Sequence, residues 1–463
     1  MRFPTSTPSA EGVDPAALLA LLDGLGSMPG VEPHGLIVHR HGRRILEGYW
    51  APHVAGTKRL VYSLSKTFTG TALGLQLGEG RLELDDLVSD HLPDEFDDTV
   101  DERTRRMRIR HIASMSSGHD HETVVEASQV DPEHPVRGFL HLPPQAEPGT
   151  LFMYNQPPVL ALATILQRLA GERLVDYLRP RLFEPLGIEG LRWAQAHPGV
   201  DLGYSGVFTD LDAVARLGQL YLDDGVWDGE RLLPEGWVAT ASSVQTPNPG
   251  ETRTDWRQGY GFQLWMSQHG YRGDGAFGQY MVVLPEHDAV VAFFSSTVEM
   301  QDVMDLLWRV LLPAMHDGPV DGDDDALTAR LASLALRTAS QRTGGTPVRP
   351  VSSRFVPAPP GIRTHRTITS VELDGGRLIV HEGERSLTLP ITDAWAMSDD
   401  GDVATCATQL PDGSVHVDLV FVHTPHRMAI TLSPAEGTFT AVWRLVPLVG
   451  GGTAHVTSMR VPD

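Results

Sequence analysis

Ser63 and Lys66 are the residues of this chain whose types and spacing could carry out covalent chemistry. Positions i and i+3 of a helix share a face, so the serine hydroxyl and the lysine amine can meet. A neutral amine can take the serine proton and leave the oxygen as a nucleophile. Of the 37 basic residues only Lys58 and Lys66 are lysines, and the guanidinium groups of the others cannot lose a proton in this way. The spacing also fits a helix cap followed by a surface lysine, so both interpretations are open at this point.

The elements that must position this pair begin with a helix. Apolar residues recur at helical spacing from Val61 to Gly80, and glycines mark its end. Ser63 and Lys66 therefore lie at the start of that helix, where the helix dipole favours a developing oxyanion and helps to keep the lysine neutral. Further helices are predicted over residues 14–25, 109–115, 159–170, 174–186, 210–223 and 301–312.

Short β-type runs lie before and after these helices. Residues 35–50 predict a hairpin, and further strands are predicted at 260–265, 280–284 and 289–294. A hairpin, then helices, then an antiparallel run indicates an α+β fold in which early and late strands share one sheet. We assign this first domain to residues 1–316.

The remainder of the chain has a different composition. Residues 317–352 are rich in Asp, Gly, Pro, Thr and Ser around a short helix at 326–336, which predicts a linker. Residues 353–463 then carry short strands at even spacing, predicted at 367–373, 377–381, 386–390, 415–422, 427–432 and 438–445. We expect a smaller all-β C-terminal domain there, either a barrel or a sandwich.

Composition excludes several classes of protein. The 463 residues are 41% hydrophobic and carry a net charge of −22, which would repel nucleic acid and anionic lipid surfaces. No apolar run reaches about 18 residues, so no membrane span is expected. Cys406 is the single cysteine and the first residues lack the apolar segment of a signal peptide, so the sequence predicts a cytoplasmic protein without an intrachain disulfide.

Several sequence blocks resemble one family. Residues 61–70, VYSLSKTFTG, closely resemble the nucleophile helix of the class C β-lactamase and penicillin-binding-protein-like serine hydrolases. The resemblance continues in the family's order through residues 82–88, 109–118, 148–155, 182–188 and 275–280, and it covers about residues 10–315. It implies a β-lactamase-like antiparallel sheet flanked by helices, with Ser63 as the nucleophile and Lys66 as its general base.

The resemblance also implies roles for the residues around Tyr154. The segment Tyr154-Asn155-Gln156 falls where the family carries Tyr-x-Asn, and the family's tyrosine relays a proton to the leaving group. Here the third position is glutamine, and Asn155 offers an amide one residue earlier. Which of the two amides contacts substrate is open, as is the alternative that Tyr154 is simply a half-buried aromatic residue.

The family's Lys-Thr-Gly or His-x-Gly element lies on the strand that lines the active site, and it is aligned here with Tyr271-Arg272-Gly273. The resemblance therefore implies that Tyr271 and Gly273 contact substrate. The backbone N–H of Asp274 would then form an oxyanion hole with that of Ser63. The missing lysine or histidine argues against efficient cleavage of penicillins and for an esterase, amidase or acyl-transfer role. Asp274 itself either binds a substrate ammonium group or is a solvated loop carboxylate.

Two other motifs are weaker. Residues 273–278 match G-x-G-x-x-G, but a β-type run follows them where a dinucleotide site needs a helix. Residues 119–122, HDHE, resemble metal ligands, but Val125 breaks the H-E-x-x-H pattern, so a polar loop is the simpler interpretation. We therefore expect neither a metal nor a cofactor.

Together these features predict a serine hydrolase that forms an acyl-enzyme with a small ester, amide or peptide. Carboxylesterase, amidase and D-peptidase activities all fit, and the same site suits an acyltransferase or a peptide-cyclising thioesterase. Two alternatives are a binding relative with weak turnover and a metallohydrolase built on His119 and His121. The C-terminal domain is expected to cover the mouth of the active site or to form a homodimer surface.

Overall fold

The computed structural model describes residues 3–349, 352–359, 364–449 and 453–462. A six-stranded antiparallel sheet organises the first part of the chain. The strands of this part are β1 (Glu32–Arg40), β2 (Arg43–Tyr49), β3 (Arg59–Leu60), β4 (Arg192–Trp193), β5 (Gln195–His197), β6 (Val200–Asp201), β7 (Val207–Thr209), β8 (Val226–Trp227), β9 (Glu230–Arg231), β10 (Trp265–Met266), β11 (Tyr271–Gly275), β12 (Gln279–Leu284) and β13 (Ala289–Ser296).

Helices cover both faces of that sheet, and two more follow it. They are α1 (Pro15–Ser27), α2 (Ser65–Gly78), α3 (Val88–His91), α4 (Glu102–Arg105), α5 (Ile109–Ala113), α6 (Val124–Val130), α7 (Pro135–Leu140), α8 (Gln156–Ala170), α9 (Leu174–Leu178), α10 (Glu184–Leu186), α11 (Leu211–Leu222), α12 (Trp237–Ala241), α13 (Met300–Leu306), α14 (Asp324–Ala332) and α15 (Ala339–Thr343). Within the described ranges, no helix is both long enough and apolar enough to cross a membrane.

The six strands are ordered β10-β11-β12-β13-β1-β2, so the early hairpin joins the late strands in one sheet, as predicted. Side chains alternate between its two faces. Tyr280, Val282 and Leu284 of β12 pack in the core shared with α1 and α13, whereas Met281 and Val283 pack in the core shared with α2, α8 and α11. The sheet is therefore buried on both faces, which confirms the predicted α+β architecture.

Local sequence explains where the first helix begins. Asp14 caps α1 by accepting a hydrogen bond from the backbone N–H of Ala16 at 2.8 Å, and Pro15 occupies the first helical position. By contrast, the predicted strand at residues 260–265 is wrong over most of its length. The Gly261 N–H donates to the Leu264 carbonyl at 2.8 Å and forms a turn, so pairing within the six-stranded sheet starts only at Trp265.

The last part of the chain is a nearly closed barrel. Its strands are β14 (Ser353–Pro357), β15 (Ser370–Asp374), β16 (Arg377–Glu382), β17 (Arg385–Pro390), β18 (Ala396–Met397), β19 (Val403–Gln409), β20 (Val415–Phe421), β21 (Arg427–Ser433) and β22 (Thr438–Trp443). They form one sheet ordered β17-β16-β15-β14-β22-β21-β20-β19-β18. The Ala407 N–H donates to the Thr392 carbonyl at 2.7 Å and draws the two ends together. Of the two predicted arrangements, a barrel or a sandwich, the structure shows a barrel.

Two helices of the segment predicted as a linker pack against the parts of the chain on either side. Its helix α14 places Leu327 in the core that contains α1, and α15 lies against β19. The predicted helix at residues 326–336 begins two residues earlier, because Asp323 caps it by accepting from the Ala326 N–H at 2.8 Å, and it ends at Ala332.

Candidate active site

Ser63 and Lys66 lie together at the entrance to α2. Residues Tyr62–Leu64 form a single 3₁₀ turn, and the α-helix begins only at Ser65. The serine thus lies just before the helix rather than within it, and the lysine lies in its first turn. The Lys66 Nζ is 3.0 Å from the Ser63 Oγ. This contact excludes the alternative of a surface lysine, since Lys66 is only 1% exposed.

Two carbonyl oxygens hold the lysine amine in place. Lys66 Nζ donates to Gln156 Oε1 at 2.7 Å and to the Tyr204 carbonyl at 2.9 Å. A neutral amine has two N–H groups and one lone pair. Because the two carbonyls occupy both N–H groups, the lone pair is left facing the hydroxyl of Ser63. The site therefore arranges the lysine as an acceptor for the serine proton.

Burial makes the neutral form of this amine accessible. Desolvation lowers the pKa of Lys66 to about 7, against the opposing effect of the carboxylates of Glu122 and Asp274. Glu122 belongs to the segment that resembles metal ligands, but here its Oε1 accepts from the backbone N–H of Gln156 at 3.3 Å. The negative charges of Glu122 and Asp274 thus raise the pKa of Lys66 and partly offset the effect of burial.

Tyr154 packs beside this pair in an aromatic wall. Its ring stacks on Trp265 with centroids 5.3 Å apart and meets Tyr260 edge-on, while Lys66 Nζ lies 4.7 Å from its centroid. Burial raises the pKa of Tyr154 and the carboxylate of Asp274 raises it further, while the adjacent Ser63 side chain opposes both. The phenol therefore stays protonated near neutral pH and is available as a proton donor.

The structure distinguishes the two amides that follow Tyr154. Asn155 is fully buried, and its Oδ1 accepts from the backbone N–H and the hydroxyl of Thr123, each at 3.1 Å. It therefore anchors the preceding loop and does not line the cleft, so of the two candidate amides Asn155 is not the one placed to contact substrate. Gln156 does line the cleft and contacts Lys66.

Strand β11 presents its alternate residues to opposite sides. Asp274 lines the cleft that contains Ser63, and Ala276 lines it just beyond the strand. Tyr271 faces away from the cleft, because its hydroxyl donates to the Tyr221 carbonyl at 3.1 Å. The assignment of Tyr271 as a cleft residue is thus a register error, and Ala276 is a cleft residue that the motif alignment missed.

Gly273 also faces away from the cleft, toward the nucleophile helix. A Cβ on Gly273 would lie 2.4 Å from the Thr67 Oγ1 of α2. The glycine therefore permits close packing between β11 and α2. It does not line the cleft, so the prediction that Gly273 contacts substrate is wrong.

Arg272 carries a positive charge that is buried behind Asp274 and does not line the cleft. It is fully buried, its Nε lies 3.1 Å from Asp274 Oδ2, and its guanidinium lies 4.3 Å from the ring of Trp256. Asp274 is 7% exposed, so it is not a solvated loop carboxylate. Its second oxygen has no hydrogen-bond partner among the described residues. A carboxylate oxygen of Asp274 therefore lines the cleft beside Ser63 without a hydrogen-bond partner among the described residues.

The cleft has a volume of about 540 Å³ and an aromatic wall. Phe152, Tyr154, Trp256 and Trp265 form that wall, and the paired side chains of Glu251 and Arg253 lie at its rim, their N–O distance being 2.7 Å. The C-terminal barrel contributes Leu448, which is 65% exposed. No motif marks Leu448 or the two tryptophans, so the sequence gives no signal for them.

The other two motifs have structural roles. Residues 273–278 form the end of β11 and the turn to β12, with no helix after them. The imidazole of His119 bonds to the Ser117 hydroxyl at 3.0 Å and to the Leu142 carbonyl at 3.1 Å. Across the parts of the chain that the structure describes, no three His, Cys, Asp or Glu side chains are grouped to hold a metal ion.

Comparison with known proteins agrees with this fold. The sequence model of the family described as Beta-lactamase matches residues 19–314, and the chain belongs to that family of serine hydrolases. Penicillin-binding protein 4 of Amycolatopsis lactamdurans is 28% identical over 290 residues, 54% of this chain and 75% of the relative. The 6-aminohexanoate-dimer hydrolase of Paenarthrobacter ureafaciens is 25% identical over 329 residues, 64% of this chain and 82% of the relative.

One solved structure has a similar fold over both parts of the chain. The crystal structure of SurE superposes with a TM-score of 0.52 at 17% identity, covering 89% of this chain and 98% of that chain. That coverage extends well past the residues that match the family, so the C-terminal part belongs to the shared fold.

Proposed function

We propose that this protein is a serine hydrolase that cleaves an ester or amide through an acyl-enzyme on Ser63, with Lys66 as the general base and Tyr154 as the proton donor to the leaving group. The observation that carries this proposal is the contact of 3.0 Å between the Ser63 Oγ and a buried lysine amine whose two N–H groups are already engaged.

The steps follow from that geometry. The Ser63 Oγ attacks the carbonyl carbon while its proton passes to the lone pair of Lys66 Nζ. The tetrahedral oxyanion is stabilised by the backbone N–H of Ser63 and by an N–H at the end of β11, from Asp274 or Ala276. The Tyr154 hydroxyl protonates the departing alcohol or amine, and Lys66 returns the proton to Tyr154. Water then attacks the acyl-enzyme and releases the acid.

The charges beside Ser63 support an esterase or amidase role over efficient cleavage of penicillins. A penicillin carries a carboxylate, whereas this cleft presents the free oxygen of Asp274. The nearby cation of Arg272 is buried and already bonded to Asp274, to the Met266 carbonyl and to the Ser267 hydroxyl. A substrate carboxylate would approach the carboxylate of Asp274 with no free cation to compensate the repulsion, and this disfavours its binding. Substrates without an anion near the scissile bond are therefore expected.

Intact-protein mass spectrometry tests the proposal. Wild-type protein, Ser63→Ala, Lys66→Ala and the control Lys58→Ala are incubated with a fluorophosphonate probe and, separately, with p-nitrophenyl butyrate. Lys58 is a matched control because it is the other lysine of the chain and pairs with Asp210 away from the cleft, with Nζ and Oδ2 2.5 Å apart. Wild type and Lys58→Ala should gain one adduct and turn over the ester, and the other two variants should do neither.

Two other outcomes decide against the proposal. An absence of adduct in wild type between about pH 6 and 9.5 would contradict Ser63 as the nucleophile. An adduct that forms but is never released from any ester or peptide would favour the alternative of a binding relative with weak turnover.

A further inference from the structure

The residue before the nucleophile has an unusual backbone conformation. Tyr62 has a φ of +48°, in the left-handed region that side chains with a Cβ rarely adopt. Such a conformation persists only where the surroundings hold it in place. Because Tyr62 is bonded directly to Ser63, whatever holds Tyr62 also sets the direction of the Ser63 side chain.

The Tyr62 side chain is held by the C-terminal barrel. The residue is 4% exposed, and its hydroxyl lies 2.5 Å from the Nε2 of His426. Its ring meets those of Phe277 and His426 edge-on, with centroids 5.3 Å and 5.9 Å apart. The backbone of Leu448 lies beside the same hydroxyl.

The direction of this hydrogen bond is fixed by the second nitrogen of His426. The Nδ1 of His426 lies 3.1 Å from the Leu445 carbonyl, which can only accept a hydrogen bond. The Nδ1 therefore carries the proton, and the Nε2 accepts from the hydroxyl of Tyr62. Burial lowers the pKa of His426 to about 4, so the ring keeps this neutral form near pH 7.

His426 belongs to a turn that is itself fixed on the first domain. Residues 422–426, which we call the docking turn, connect β20 to β21. The Leu60 N–H donates to the His423 carbonyl at 2.9 Å, and Arg59 donates to the Thr424 carbonyl at 2.9 Å. The docking turn thus pairs with the chain only a few residues before the nucleophile.

We infer that His426 of the C-terminal barrel is a positioning residue for Ser63, which it acts on through the hydroxyl of Tyr62. The inference rests on the proposed function, because it assigns the barrel a role in orienting that nucleophile. Neither Tyr62 nor His426 lines the cleft. Loss of the bond therefore acts on the orientation of Ser63 and lowers kcat and the rate of acylation, while substrate binding and therefore KM change little.

The test compares kcat and KM for p-nitrophenyl butyrate and the rate of fluorophosphonate labelling in five variants. Tyr62→Phe removes the hydroxyl, His426→Leu removes the acceptor, and the third variant combines both. His426→Gln restores an acceptor at a similar reach. His423→Ala is the matched control, because His423 lies in the docking turn and its side chain bonds to the Lys58 carbonyl, at 2.6 Å, without touching Tyr62.

We expect Tyr62→Phe and His426→Leu each to lower kcat and the labelling rate about tenfold, with KM changed by less than about twofold. The double variant should be no slower than the single variants, because both remove one bond. His426→Gln should recover most of the loss, and His423→Ala should stay within about threefold of wild type.

Three results would overturn the inference: wild-type kcat in Tyr62→Phe, losses that multiply in the double variant, or an equal loss in His423→Ala, which would indicate general docking of the barrel. A wild-type protein that is not labelled at all would overturn the proposed function itself and this inference with it.

Discussion

The protonation of Lys66 predicts how the rate of acylation changes with pH. The base must be neutral to accept the proton of Ser63, and its pKa is about 7. The rate constant should therefore rise tenfold per pH unit well below 7 and level off above it. Between pH 6 and pH 8 the neutral fraction increases from about one tenth to about nine tenths, so the rate should rise about tenfold.

Glu122 provides the perturbation that ties this profile to Lys66. Its negative charge stabilises the ammonium form, so replacing it with glutamine should lower the pKa of Lys66. The midpoint of the profile should then move to lower pH, by up to about one unit. In wild type the backbone N–H of Gln156 donates to Glu122 Oε1 at 3.3 Å. Glutamine retains a side-chain oxygen and therefore preserves this acceptor.

The assay measures the rate constant for release of p-nitrophenol from p-nitrophenyl butyrate under single-turnover conditions, from pH 5.5 to pH 9. Absorbance is followed at the wavelength where the phenol and the phenolate absorb equally, so that the titration of the product does not enter the profile. A rate that still rises tenfold per pH unit up to pH 9, as expected for a base with the ordinary lysine pKa of about 10, would refute the reasoning. A midpoint in Glu122→Gln that is unchanged or higher than in wild type would do the same.

Three further changes follow from other contacts. Tyr154→Phe should lower kcat for an amide substrate by about 10² or more, and a wild-type kcat in steady-state assays would exclude Tyr154 as the proton donor. Gly273→Ala, whose Cβ would lie 2.4 Å from Thr67 Oγ1, should cost about 1–3 kcal/mol of unfolding free energy and lower kcat; unchanged urea unfolding would show that α2 can shift without cost. Arg427→Met breaks a buried contact of 2.6 Å with Glu32 across the two domains and should destabilise the protein by about 3–5 kcal/mol. An unchanged midpoint of urea unfolding would mean that this ion pair does not hold the domains together.

Local signals in the sequence account for the parts of the fold that were predicted correctly. Asp14 and Pro15 mark the start of α1 because a cap and a first-turn proline act within a few residues. The continuous apolar runs of β12 and β13 likewise identify strands that are buried on both faces, between helices. The sequence does not predict strand β19, because the small residues Ala404, Cys406 and Ala407 interrupt its β-branched residues.

The details of the site depend on contacts that are distant in sequence. Nothing within the segment 154–156 indicates that Thr123 binds the side chain of Asn155 and leaves Gln156 to Lys66. The alignment of β11 had the same difficulty, because moving the register by one residue exchanges the two faces of a strand. The face of β11 that turns away from the cleft is defined by the partners of Tyr271 and Gly273, which lie on α11 and α2.

The ion pairs between the two domains explain why the barrel can influence the site at all. Arg427 is buried between Glu32 of the first domain and Asp418 of the barrel, at 2.6 Å and 2.7 Å. Burying such charges adds little net stability, but an alternative docking of the barrel would leave at least one of them unpaired. The network therefore selects one relative position of the two domains. That position brings His426 to Tyr62 and Leu448 to the cleft. The orientation of the nucleophile and the contact of Leu448 with the cleft therefore depend on the same set of buried charges.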